Sequence, residues 1–185
     1  MKLKLRLKTV SWVLASALLC SACQSWIPKA QGLATPQWAA QNYQRQDQIE
    51  VQWKTQSFSF LLYQQQRGQS LDMLALSLTG QQLFKLSFDG QKVEVEQRID
   101  PMKRLPFDYV VRDILYATYP NFAALHTAQN AVVQKDDTIY IQQQPVLKIQ
   151  QNEGAIELDN LQVPYQMVIS TVSNTLEDDQ GDHHD

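Results

Sequence analysis

The feature that most constrains this chain is an alternation of apolar and polar residues with a period of two. Ile49, Val51 and Trp53 alternate with Glu50 and Gln52, and Phe58, Phe60 and Leu62 share one face while Ser57 and Ser59 share the other. Leu74, Leu76 and Leu78 continue the pattern, followed by Phe84, Leu86 and Phe88, then Val93 and Val95. Successive side chains of a strand point to opposite faces, so these rows predict half-buried β-strands. Arg67-Gly68, Thr79-Gly80 and Asp89-Gly90 punctuate them, Asp-Gly being the strongest hairpin signal. Connections this short join antiparallel neighbours.

The alternation breaks at residues 98–128. Pro101 and Pro106 bracket a linker. Phe107 to Thr118 then has a helical period, with Val110, Val111, Ile114, Leu115 and Thr118 on one stripe ended by Pro120. A short helical piece is expected from Phe122 to Ala128. Another is expected over Pro36–Tyr43, with Thr35 as N-cap and Pro36 in the first helical position. Strands resume over Ala131–Gln134, Ile139–Gln142, Val146–Gln150, Ala155–Leu161 and Gln166–Val172, with turns at Asp136-Asp137 and Asn152-Glu153-Gly154. About ten strands cannot lie flat without a strong curl. The expected fold is therefore mainly β (α+β), a curved antiparallel half-barrel with a helical lid inserted mid-chain. Its concave face is expected to carry Phe58, Phe60, Leu74, Leu76, Phe84, Leu86 and Phe88, with Ile114 and Leu115 from the lid. Such a cup either packs solid around its helix or leaves room for an apolar guest.

The N-terminus has a different grammar. Lys2, Lys4, Arg6 and Lys8 precede an apolar run from Val10 to Leu19, followed by small residues, which is the order of a secretory signal. The run is about half of what a helix needs to cross a bilayer. Ser21-Ala22-Cys23 resembles the lipobox of bacterial lipoproteins, in which cleavage precedes a cysteine that carries diacylglycerol. Cys20 competes, but Leu19 before it is too bulky for that cleavage position. The resemblance implies a signal peptide over residues 1–22 and acylation of Cys23; the polar stretch with Pro28 and Gly32 reads as a tether over 23–35, the strands and helix as a domain over 36–173, and the charged, apolar-poor end as a disordered acidic tail over 174–185. Gln24, rather than Asp, after the cysteine implies sorting to the outer membrane of a Gram-negative cell, on its periplasmic face.

The stretch from Leu74-Ala75-Leu76-Ser77-Leu78-Thr79-Gly80 to Phe84-Lys85-Leu86-Ser87-Phe88-Asp89-Gly90 resembles the central hairpin of a family of uncharacterised bacterial lipoproteins. That family is associated with aryl-polyene or fatty-acid-type biosynthesis genes. Asp113-Ile114-Leu115-Tyr116-Ala117-Thr118-Tyr119-Pro120 resembles its helix, and the likeness extends from Pro36 to Val172. The family in turn looks like a distant relative of LolA and LolB, half-barrel carriers of lipoproteins, and Pro36-Gln37-Trp38 is similar to the start of a LolB-type domain. The resemblance implies a lipid-like cargo and a periplasmic LolA-like carrier as partner. Where LolB presents an exposed leucine in the hairpin matching Ser77-Leu78-Thr79-Gly80, this chain has Thr79, with Leu78 next to it. That departure turns the expectation from general lipoprotein insertion toward a specialised lipid or polyene.

Composition excludes more than it assigns. Sixteen Lys and Arg face 19 Asp and Glu, for a formal net charge of −3. Four of the cations lie in the leader, and Glu177, Asp178, Asp179, Asp182 and Asp185 lie in the tail, so the body lacks the basic field of a nucleic-acid binder. His126 stands alone in the expected domain, without a nucleophile motif around it, and a surface or helix-end position is expected. Asp182-His183-His184-Asp185 suits adventitious metal binding in a tail. Asp108, Arg112 and Asp113 are expected on a solvated helix face. No enzyme, cofactor or resident metal is expected. The reading is an outer-membrane lipoprotein that holds a hydrophobic cargo non-covalently, with a non-carrier accessory or scaffold lipoprotein as the alternative.

Overall fold

In the computed structural model, residues 29–126 and 132–172 are described. The leader, Cys23 and the tail with His183 and His184 lie outside them, as do the ends expected at Ala128 and Ala131. Ten strands form one antiparallel sheet that does not close: β1 (Gln44–Trp53), β2 (Gln56–Arg67), β3 (Ser70–Leu76), β4 (Gln82–Phe88), β5 (Val93–Arg98), β6 (Val132–Lys135), β7 (Thr138–Ile141), β8 (Gln144–Asn152), β9 (Ala155–Asn160) and β10 (Tyr165–Thr171). Their spatial order is β5-β4-β3-β2-β1-β10-β9-β8-β7-β6, so β1 and β10 join the two halves at the centre. Between β5 and β6 the chain forms a 3-10 turn (Asp100–Arg104), the helix α1 (Phe107–Thr118) and a second 3-10 turn (Phe122–Leu125). The mainly β half-barrel with a mid-chain helix is the architecture that the alternation predicts.

Two rims follow from the register. The lower rim holds the β1–β2, β3–β4, β7–β8 and β9–β10 turns; the upper rim holds the β2–β3, β4–β5, β6–β7 and β8–β9 turns, and the chain leaves β10 there. Helix α1 starts at the lower rim and ends at the upper one, where the Thr118 hydroxyl accepts from the Tyr43 hydroxyl at 3.0 Å.

Two expectations are corrected. Pro36–Tyr43 is not a helix: beyond a turn at Pro36-Gln37 it has no regular secondary structure. Thr35 does not cap it, because the Thr35 hydroxyl donates to the Leu125 carbonyl and the Thr35 amide donates to Gly90 at 2.8 Å. Trp38 instead stacks on Tyr119, with centroids 4.9 Å apart, and meets Phe88 edge-on at 5.1 Å. Packing of that half-buried indole against three rings outweighs a marginal local preference for helix.

The stretch expected as a free tether through Thr35 also packs: Ala30, Leu33 and Thr35 are buried. Residues 29–43 form a strap that rises along α1. Gly32 and Gly90 allow its close passage. Both have positive φ, and a Cβ on either would lie 2.3 Å from an atom of Ile141 or Trp38 respectively. At Gly90 a side chain would meet Trp38 Cβ and displace the strap, whereas at Gly32 it would meet the tip of Ile141 and the positive φ adds the strain.

Candidate functional site

The concave face is apolar and covered. Ile49, Val51, Phe60, Leu62, Leu71, Met73, Ala75, Leu86 and Phe88 are buried there, from β1 to β4. Of the residues expected to line it, Phe60, Phe84, Leu86, Phe88, Ile114 and Leu115 are buried and Phe58 is half-buried on the same face of β2. Leu74 and Leu76 are corrected. They alternate with buried Leu71, Met73 and Ala75, so they lie on the convex face, half-buried opposite Tyr63 and Leu61. The convex face of β3 carries Leu74 and Leu76 beside Ser70 and Asp72, and a slip of one residue exchanges the two faces. In the β3–β4 turn Leu78 is 62% exposed, while the Thr79 hydroxyl is 2.9 Å from that of Ser77.

Phe84 connects sheet to lid. Its ring meets Phe60 at 5.4 Å and Phe107 of α1 at 4.9 Å, both near-perpendicular. Over the helix, Tyr116, Phe122 and His126 pack together under the strap. His126 is thus a half-buried strap contact rather than a surface group: its Nε2 donates to the Gly32 carbonyl at 2.9 Å, which also accepts from Tyr116 at 3.0 Å. Nδ1 is buried with no partner among the described residues.

Arg112 and Asp113, expected in solvent, are 0% exposed. Helix α1 is apolar nearly all round, because Phe107, Tyr109, Val110, Val111, Ile114 and Leu115 are all buried. A helix of that kind is enclosed, here between the sheet and the strap. Its two fully buried charges therefore find protein partners, while Asp108 is half-buried near Lys29. Arg112 Nε donates to Asp113 at 2.8 Å, and Nη1 donates to the Gln31 carbonyl of the strap at 3.1 Å and to Gln162 of the β9–β10 turn at 2.5 Å. The other Asp113 oxygen accepts from Asn160 of β9 at 2.6 Å and from the Tyr165 hydroxyl of β10. Burial pushes the Asp113 carboxyl up, against the pull of Arg112, Tyr165 and Asn160. Arg112 Nη2 is buried and without a partner among the described residues, and the guanidinium lies 5.1 Å from the Tyr109 ring centroid.

A second polar cluster closes the upper end. Buried Asp47 accepts from Arg45 at 2.7 Å and from Gln64 at 3.3 Å. Tyr43 spans from Gln64 to Thr118 of the helix, at 3.4 and 3.0 Å. Polar clusters thus hold the lid at its middle, through Arg112 and Asp113, and at its C-terminal end, through Thr118. Either could be sought in the sequence by asking where charges fall on a helix or strand with no polar face to spare.

Burial pushes the Tyr43 phenol up to about 12, and it raises Tyr109, Tyr116, Tyr119 and Tyr165 above the ordinary value of 10.0 as well. The unfolded chain loses these protons first. Stability is therefore full below about pH 10 and falls as pH rises toward about 12, where folded Tyr43 ionises. Urea midpoints measured from pH 9 to 11.5 are expected to drop across that window, and less steeply in Tyr43→Phe.

Among the described residues, no group of three His, Cys, Asp or Glu could hold a metal ion, and no helix is long and apolar enough to cross a membrane. The arrangement offers an apolar face under a polar-latched helix. No curated protein matches the chain. Residues 44–173, β1 through the end of β10, match the family model described as a protein of unknown function, DUF3261, and the chain belongs to that family.

Proposed function

We infer that this protein is a lipoprotein anchored through acylated Cys23 in the outer membrane, facing the periplasm, and that it holds a hydrophobic acyl- or polyene-like cargo between sheet and helix. The observation that carries the reading is the cover of the concave face: one helix and a strap, held by polar latches, rather than a second sheet. Well-packed apolar residues in place of a buried ion pair often leave a protein as stable or more so. The Arg112–Asp113 latch therefore suits a lid whose docked position must be specific. An acyl chain that buries roughly 300 Å2 gains about 7 kcal/mol before ordering costs. That suffices for a carrier that must release its cargo, and no covalent step is needed. A LolA-like periplasmic carrier and the products of polyene or fatty-acid-type gene clusters are the partner and the cargo sources this reading favours.

The packing of Phe60, Phe84 and Phe107 favours a second reading, an accessory or scaffold lipoprotein whose cup is filled by its own helix. Native mass spectrometry of residues 24–185, isolated from the periplasm, separates the two. Co-purified hydrophobic mass, with uptake of a fluorescent fatty acid, is the expected result; a clean apo mass without uptake leaves the scaffold. The anchor has its own test. A palmitate analogue is expected to label the full chain and to leave Cys23→Ala unlabelled.

A further inference from the structure

The two rims differ in chemistry, and the chain that leads back to Cys23 enters at the lower one. Lys29 lies there near Asp108, and Gln31 is bonded to Arg112 and Gln162. Six residue steps separate Lys29 from Cys23, a reach of at most roughly 22 Å. The turns and element ends of this rim carry Lys29, Lys54, Arg98, Lys103 and Arg104 against the carboxylates of Asp100 and Asp108. Lys103 is paired with Asp100 at 2.6 Å, but Lys54, Arg98 and Arg104 form no salt bridge among the described residues.

Lys54, Lys103 and Arg104 line a single groove of about 630 Å³ with Trp53, Val163 and Pro164. Lys54 tips the β1–β2 turn in the left-handed region, at φ 55°, where glycine or asparagine is at ease. Its ammonium lies 5.5 Å from the Trp53 ring centroid, and Leu161, 48% exposed, begins the adjoining β9–β10 turn. The turns and element ends of the upper rim carry Asp89, Asp136, Asp137 and Glu153 against Arg67, Lys92 and Lys135, and the chain leaves there toward Glu177, Asp178, Asp179, Asp182 and Asp185.

From the short reach to Cys23 and the cationic, aromatic groove at the same rim, we propose that the lower rim docks on an anionic lipid bilayer, with lipid phosphates seated in the Trp53–Lys54–Lys103–Arg104 groove. The proposal rests on the reading of Cys23 as the acylated residue. It orients the domain: β-strands rise from the membrane, and the upper rim, of mixed charge, points away from it. Each basic side chain near such a surface contributes about fivefold in affinity.

The test couples residues 23–185 through the Cys23 thiol to a maleimide lipid, so it does not depend on acylation in the cell, which palmitate labelling reports separately. The vesicles contain brominated phosphatidylcholine, with or without phosphatidylglycerol. The Trp53 signal is the difference in fluorescence between the parent and Trp53→Phe. The expected result is quenching of that signal on vesicles with phosphatidylglycerol, relieved by salt and by Lys54→Glu/Arg104→Glu, but kept in Lys85→Glu/Lys148→Glu, whose charges sit on the strands. Circular dichroism melts confirm that each variant is folded. Absence of quenching, or quenching that is equal without phosphatidylglycerol or indifferent to the groove reversals, overturns the proposal.

Discussion

Replacing Asp113 with alanine is expected to destabilise the protein by about 3–5 kcal/mol, enough to lower Tm by roughly 10 °C. Asp113 and Arg112 are both wholly buried, and the guanidinium already has one nitrogen without a partner among the described residues. Loss of the carboxylate leaves the cation with the Gln31 carbonyl, Gln162 and the Tyr109 ring but no counter-charge, and it leaves Tyr165 and Asn160 without their shared acceptor. The cost is that of an uncompensated buried charge, not the worth of one hydrogen bond. Arg112→Met/Asp113→Leu removes both charges together and is expected to recover most of the loss. Thermal and urea unfolding of the parent, Arg112→Met, Asp113→Leu and the double variant complete the cycle. A double variant as unstable as Asp113→Ala would place the energy in Tyr165 and Asn160 instead.

The same pair shows how far the sequence can be read. Strands and turns are legible because a period of two, broken by Gly68, Gly80 and Gly90, arises from little besides strands with one face buried. The bounds of α1 are legible as well, since Pro106 precedes it and Pro120 follows it. The burial of Arg112 and Asp113 is less so. A helical wheel puts them on the side away from the stripe of Val110, Val111, Ile114 and Leu115, and only Tyr109 and Tyr116, which fall between them, hint that this side is not wet. The β1–β2 hairpin has no glycine at its tip, because Lys54 takes the left-handed position itself, at a cost of about 1–2 kcal/mol. The strap is the least legible part. Its course is set by Trp38 against Tyr119 and Phe88, partners distant in sequence that no local pattern announces. Leu74 and Leu76 failed as lining residues for a related reason: alternation defines two faces, and which one meets the core is decided by neighbours in the sheet.

Phe84→Ala is the second change with a large expected effect, about 3–5 kcal/mol of lost stability. Phe84 is buried at the junction of β4 with the helix, and its truncation removes two edge-to-face aromatic pairs, each contributing about 0.5–1.5 kcal/mol beyond area. Leu74→Ala, on the convex face of the neighbouring strand, is expected to cost less than about 1.5 kcal/mol, because that side chain is only half-buried. Urea unfolding of both variants tests the corrected faces of the sheet, and equal losses would contradict them. The pair also bears on the cargo. Phe84 ties Phe107 of the lid to Phe60 of the sheet, so its loss makes the helix easier to displace and leaves apolar space beneath it. For a carrier whose guest competes with its own helix, fatty-acid uptake per folded molecule rises in Phe84→Ala and is unchanged in Leu74→Ala. For a scaffold with a filled core, Phe84→Ala loses stability and takes up nothing. Stability alone does not tell these readings apart; the sign of the change in uptake does.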